Sequence, residues 1–155
     1  MLKYQPHFPY KEERPEQTKA IKFALEAFKE KRFVIVEAGT GVGKSAVGLT
    51  IAKTIAEQSY FITTQKILQQ QYVDDFSSCG MLSLKSSSNF RCQYYKGKDC
   101  SQALRELKVS KDAKFKACCG GGCVYKKAKR SFIASPLGIT NFAYFLAETN
   151  YSQQL

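Results

Sequence analysis

The sequence predicts an α/β fold: a parallel sheet with helices against it, interrupted by a cysteine-rich insertion. Three observations carry that expectation. Strand-like and helix-like apolar runs alternate through residues 15–76, as in parallel α/β sheets. A glycine-rich loop joins the first strand-like run to the helix-like run after it. All six cysteines lie between Cys79 and Cys123, where apolar periodicity fades.

The elements follow in order. Residues 15–30 read as a helix, because Pro15 suits a first turn and Ala20, Ile21, Ala24, Leu25 and Phe28 recur at helical spacing. Phe33 to Ala38 is a short β-branched run expected as a buried strand. Lys44 to Gln58 is helical through Val47, Leu49, Ile51, Ala52 and Ile55. Tyr60–Thr63 reads as a second strand and Ile67–Phe76 as a second helix. From Ser77 to Arg130 Ser, Lys, Gly and Cys dominate, a composition too polar to order itself by apolar burial alone. Apolar runs return at Phe132–Ala134 and Leu137–Thr140, ahead of a helix over 141–149.

Composition bounds the function classes. The chain has 155 residues with 44% hydrophobic and 24% charged content, which suits one globular domain. No apolar run approaches membrane-spanning length, and the N-terminus lacks the apolar core of a secretory leader. A cytoplasmic protein with no membrane partner is expected. The net charge is +11, and +10 of it lies between Lys85 and Arg130, where 13 basic residues face three acidic ones. Such a segment attracts polyanions, nucleic acid above all. In a reducing compartment clustered thiols point to metal or redox chemistry rather than disulfides. The only histidine, His7, is remote from them, so a metal site here would be all-cysteine.

Residues 38–45, AGTGVGKS, fit the Walker A pattern with Ala38 in place of the first glycine. Gly39, Gly41 and Gly43 let backbone N–H groups turn inward around phosphate oxygens, with Thr40 and Val42 between them. Lys44 reaches the β- and γ-phosphates, Ser45 ligates Mg²⁺, and the following helix presents its positive end. The loop predicts binding of a nucleoside triphosphate.

The wider string EAGTGVGKS resembles motif I of the superfamily 2 DNA helicases of the XPD/DinG group. Arg14-Pro15-Glu16-Gln17 resembles that group's RPxQ signature, whose glutamine reads the adenine edge, a task that suits an amide with both donor and acceptor. Ile62 to Gln69 resembles motif Ia, which places Thr63, Thr64 and Gln65 against the DNA backbone. Asn89-Phe90-Arg91-Cys92 and Cys123-Val124-Tyr125 with Ala128 resemble the borders of that group's inserted [4Fe–4S] domain. The resemblance implies an incomplete P-loop NTPase (RecA-like) sheet carrying an iron–sulfur insertion. It implies Cys92, Cys100, Cys118 and Cys123 as ligands, with Cys119 as the alternative to Cys118 and Cys79 outside the set. Zinc is the rival metal, since four thiolates serve either; the lack of a C-x2-C knuckle favours iron–sulfur. Lys96, Lys98, Lys108, Lys111, Lys114 and Lys116 would line a path for a single strand. Tyr94, Tyr95, Phe115 and Tyr125 either stack on bases or form the insertion's own core.

The implied organisation is an ATP-binding portion over 1–76, a metal-cluster insertion over 77–131, and a return to the ATP-binding domain over 132–155. The sequence contains no DExH box, and the second motor domain of the parent protein is missing from it. The expected parent is an ATP-dependent DNA helicase translocating 5′→3′ on single-stranded DNA, with ATP, Mg²⁺ and the cluster as cofactors. Hydrolysis by these 155 residues alone is expected to be negligible. The alternative is a non-catalytic nucleic-acid-binding module with a metal-stapled basic insertion. A small P-loop kinase with a zinc lid is a third reading, unsupported by any candidate base.

Overall fold

The structure is a computed structural model and describes residues 3–110 and 122–152. The chain divides into two compact units, Met1–Ser59 and Tyr60–Leu155.

In the first unit, α1 (Pro15–Ala27) opens with Pro15, whose fixed φ suits the first turn. It buries Gln17, Ile21, Ala24 and Leu25, which helical spacing sets on one face. Helix α2 (Lys44–Ile55) packs against it and buries Ala46, Val47, Leu49 and Thr50. Tyr4, Ile21, Leu25 and Val47 meet in a small core with Phe8, Ala20 and Ile51 around it. Complete burial of a side chain such as Ile21 contributes roughly 1.5–3 kcal/mol. The buried Thr50 hydroxyl donates to the Ala46 carbonyl one turn back, so its polar atom is satisfied.

The run Phe33 to Ala38 departs from expectation. It forms no strand, and Phe33 and Ile35 are 87% and 92% exposed. A strand is stable only when a neighbour takes up its backbone N–H and C=O groups. Among the described residues no strand is paired with this run, so its β-branched side chains have no sheet to pack on.

The second unit is built on a three-stranded sheet in the order β1-β3-β2. The strands are β1 (Ser59–Thr63), β2 (Met81–Ser83) and β3 (Leu137–Asn141). β2 runs parallel to β3, with Met81 opposite Leu137 and Ser83 opposite Ile139. The central β3 buries Leu137 to Thr140, the pattern of a strand covered on both faces. Gly138 is required there by close approach. A β-carbon would lie 2.7 Å from the Phe132 ring and 2.9 Å from Tyr60. Those two rings stack with centroids 5.4 Å apart.

Helix α3 (Lys66–Phe76) covers this sheet with Phe76 and Gln69. The buried Gln69 amide donates to the carbonyls of Leu84 at 2.8 Å and Ile139 at 3.2 Å, tying the helix to β3. Residues 77–131, read from sequence as an insertion, supply β2 to the sheet and Leu84 to its core. They also form α4 (Cys100–Ser110) and most of α5 (Val124–Ile133), followed by α6 (Phe142–Ala147). Ala103 and Leu107, one helical turn apart on α4, pack with Cys92, Cys100 and Cys123. That segment therefore has an apolar centre of its own, which its composition concealed.

Candidate functional site

The glycine-rich loop ends where α2 begins. Gly43 is the residue before α2 and adopts φ +84°, and Gly41 adopts φ +80°. Side-chain-bearing residues rarely adopt this left-handed backbone, which lets successive N–H groups point to one concave side. The first turn of α2 adds N–H donors with no intrahelical acceptor, beside the Lys44 and Ser45 side chains. Lys44 Nζ donates to the carbonyls of Ala38 at 3.0 Å and Gly39 at 2.8 Å. Its ammonium therefore lies over the loop. Left-handed loop glycines, the N-terminus of α2 and the Lys44 ammonium lie together, an arrangement that suits a polyphosphate.

The other side of the loop is held by α1. Arg14 Nη1 donates to the Gly41 carbonyl at 2.8 Å. Gln17 Nε2 donates to the Val42 carbonyl at 2.9 Å, and its Oε1 accepts the Arg14 N–H at 2.9 Å. Gln17 is only 4% exposed, and a β-carbon on Gly43 would lie 2.5 Å from its Nε2. Thr40 precedes these two anchored residues, and Val42 carries one of the anchored carbonyls. Beside it an open groove of about 430 Å³ is lined by Lys19, Phe23, Ile35, Val36 and Gly39.

Thr63, Thr64 and Gln65 lie where β1 passes into α3. Thr63 ends the strand and its hydroxyl donates to the Gln65 carbonyl at 3.1 Å, while Thr64 and Gln65 are exposed. Gln65 is the residue capping α3.

Three of the sequence-derived ligand candidates come together. Cys92, Cys100 and Cys123 are each 9% exposed and share one cluster, with Phe90 and Tyr125 against it. Backbone pairing sets them there: Cys92 N–H donates to the Lys98 carbonyl at 3.0 Å and Cys100 N–H to the Phe90 carbonyl at 2.8 Å. Asp99 accepts the Gln102 N–H at 2.8 Å, and Gln102 Oε1 accepts the Asp99 N–H at 3.2 Å. This reciprocal cap fixes the start of α4, and with it Cys100. The Asp99-x-x-Gln102 spacing signals it in the sequence, although it was not singled out there. Burial pushes the Cys100 thiol up to about 11, with the Cys123 and Cys92 sulfurs adding to the effect. Cys118 and Cys119 lie outside the described residues, as do Lys111, Lys114, Lys116 and Phe115. Among the described residues no group of three or more His, Cys, Asp or Glu is arranged to hold a metal ion. Cys79 stands apart, half-buried in a short 3₁₀ turn.

Sequence reading also missed a buried polar contact on α5 and α6. The Tyr125 and Tyr144 hydroxyls lie 2.6 Å apart, and Lys129 pairs with Glu148 beside them. Burial and the Tyr125 hydroxyl hold Tyr144 well above the usual phenol range. The partners are 19 residues apart in sequence, with no motif linking them.

The α/β elements and the glycine loop are those of the P-loop class of proteins. Residues 10–135 match the family described as type III restriction enzyme, res subunit, and the chain belongs to that family. Membership supports a superfamily 2 helicase domain with ATP-binding function in general. It does not extend to the XPD/DinG group. No curated protein and no solved structure matches the chain. No helix among the described residues is long and apolar enough to cross a membrane.

Proposed function

We propose that the chain is the nucleotide-binding portion of a cytoplasmic ATP-dependent DNA helicase that translocates 5′→3′ on single-stranded DNA. The glycine loop on α2 carries this reading, because its left-handed glycines, Lys44 and helix N-terminus suit a Mg²⁺–triphosphate. The loop N–H groups hold the phosphate oxygens. Lys44 would exchange its carbonyl partners for the β- and γ-oxygens, and the Ser45 hydroxyl would help hold the Mg²⁺ that neutralises them. Arg14 and Gln17 act through the loop carbonyls that they hold. In this reading these residues bind the nucleotide, and orienting the attacking water would fall to a DExH carboxylate outside residues 1–155.

The direction of travel and the single-strand preference rest on resemblance, with Thr63, Thr64 and Gln65 as backbone contacts. Cys92, Cys100 and Cys123, with Cys118 or Cys119 as the fourth, are proposed to hold a [4Fe–4S] cluster, or zinc in its place. The support is an all-thiol donor set with three members already buried together. Such a cluster would staple the basic segment and supply no step of hydrolysis. Iron, labile sulfide and zinc assays on anaerobically purified protein test it; absence of all three metal signatures overturns it.

The test of the main reading is Mg²⁺–ATP binding to the chain, abolished by Lys44→Ala, together with strand displacement by the protein carrying its second motor domain. A 5′ overhang should be unwound and a 3′ overhang left intact. Undiminished ATP binding by Lys44→Ala would overturn it. The basic charge between Lys85 and Arg130 favours one second reading, a non-catalytic nucleic-acid-binding module with a metal-stapled insertion. It predicts single-strand binding indifferent to ATP and to Lys44.

A further inference from the structure

We infer that the loop over residues 92–98 is a stacking site for unpaired nucleic-acid bases, with Tyr94 and Tyr95 as its platform. The inference rests on the nucleic-acid partner that both readings above share, and adds a base contact away from the phosphate loop and from residues 63–65.

The aromatic side chains of the cysteine-rich segment divide into two pairs. Phe90 and Tyr125 belong to its core, their ring centroids 5.4 Å apart beside the buried cysteines. Tyr94 and Tyr95 do not. They are 50% and 37% exposed, in a loop whose Gln93, Lys96 and Gly97 are exposed as well. The loop is short and closed. At its base Arg91 bridges Asp99 in antiparallel fashion, and the Cys92 N–H donates to the Lys98 carbonyl at 3.0 Å. At its tip the Lys98 N–H donates to the Tyr95 carbonyl at 3.3 Å, with Gly97 at φ +80° in the turn position that favours glycine.

The rings are held as well as the backbone. Lys98 Nζ lies 4.7 Å from the centroid of the Tyr95 ring, over its face, and is ion-paired with Glu106 on α4. The Tyr94 hydroxyl rests against Gly122, where a β-carbon would come within 2.6 Å of it. Two neighbouring aromatic rings are thus fixed in solvent, so little rotamer freedom is left to lose when a flat partner settles on them. Charge names that partner. Arg91 and Lys96 are exposed in the same loop, no acidic residue occurs over 91–98, and the surrounding segment carries +10 of the net charge. Planar rings flanked by cations grip a single strand, its bases stacking while its phosphates meet the charges. A duplex keeps its bases stacked on one another. Because every base has a π face, the site should accept any sequence.

The test is fluorescence anisotropy of the full chain with a labelled single strand of mixed sequence, the same backbone made abasic, and a blunt duplex. The variants are Tyr94→Ala/Tyr95→Ala and Tyr94→Phe/Tyr95→Phe, with circular dichroism and metal content matched to wild type. Wild type should bind the base-bearing strand about fivefold or more tighter than the abasic one, the lower end of what base–aromatic stacking is worth. The alanine pair should erase that difference and leave the abasic strand and the duplex unaffected, while the phenylalanine pair keeps it. The salt dependence of binding should be the same in all three proteins, since no phosphate contact is removed. Equal affinity of wild type for base-bearing and abasic strands would overturn the inference without recourse to any variant. A base preference that the alanine pair retains would overturn it too, as would an alanine pair that weakens both strands alike. These outcomes leave the nucleotide-binding reading standing. Failure of wild type to bind any of the nucleic acids would overturn the nucleic-acid partner, and this inference with it.

Discussion

Gly43→Ala measures how strongly the loop depends on α1. Gly43 adopts φ +84°, and its missing β-carbon would sit 2.5 Å from Gln17 Nε2. A left-handed backbone costs a side-chain-bearing residue about 1–2 kcal/mol. A 2.5 Å contact cannot persist, so the Gln17 amide must swing away. It then gives up its bonds to Arg14 and Val42, worth about 1 kcal/mol each. The sum, about 3–4 kcal/mol, corresponds to a fall in Tm of roughly 6–16 °C for a domain of this size. Scanning calorimetry reads that fall directly. The decisive comparison is the same change in a Gln17→Ala background. There the collision is gone and only the backbone cost of about 1–2 kcal/mol remains, so the double-mutant cycle should show a coupling of about 2 kcal/mol. Equal losses in both backgrounds would refute the reasoning, because the penalty would then owe nothing to Gln17.

Gly138→Ala should destabilise the fold by about 1–3 kcal/mol through overpacking against Phe132 and Tyr60, and so lower Tm; an unchanged melting curve would contradict the ring placement. Ile35→Lys should shift stability by under about 0.5 kcal/mol, as for an exposed position away from packing. A loss of several kcal/mol in urea titration would show that the segment is buried in a sheet after all. In reduced, metal-free protein Cys100 should alkylate about tenfold faster per pH unit up to about pH 11, its raised pKa, as thiolate attack requires. The folded thiol titrates above its ordinary value of 9.0. Its contribution to stability is therefore complete below pH 9 and is lost as pH rises through 11. Wild-type Tm should fall more steeply over that window than that of Cys100→Ala, and parallel curves would contradict the shift.

Much of the fold was legible in sequence because it is local. Pro15 and the 21, 24, 25 spacing announce α1 and its buried face, and AGTGVGKS announces both the loop and the helix after it. What failed was non-local. Phe33 to Ala38 has the composition of a strand, but pairing is a property of two segments, and only one can be read from the run itself. β2 is the converse case. Met81–Ser83 is too short to show a period, and it becomes a strand because β3, more than fifty residues later, lies beside it. In the site, the Walker A pattern named Lys44, and the family resemblance named Gln17 and the three buried cysteines. They did not show the bond from Gln17 Nε2 to the Val42 carbonyl, since that depends on where this carbonyl points. Nor did they show the Tyr125–Tyr144 contact, which exists only once α5 and α6 pack together.

The bonds from Lys44 to Ala38 and Gly39 close a ring through a side chain, from the head of the loop back to its start. A phosphate that captures the ammonium opens this ring. Two carbonyls then lose their donor and turn to water, although no ligand atom need touch them. Occupancy thus becomes visible at a distance from the ligand, as shifts of the Ala38 and Gly39 carbonyl ¹³C resonances during titration. The loop carries its own reporter, and Lys44→Ala silences that reporter in the same stroke that removes the cation.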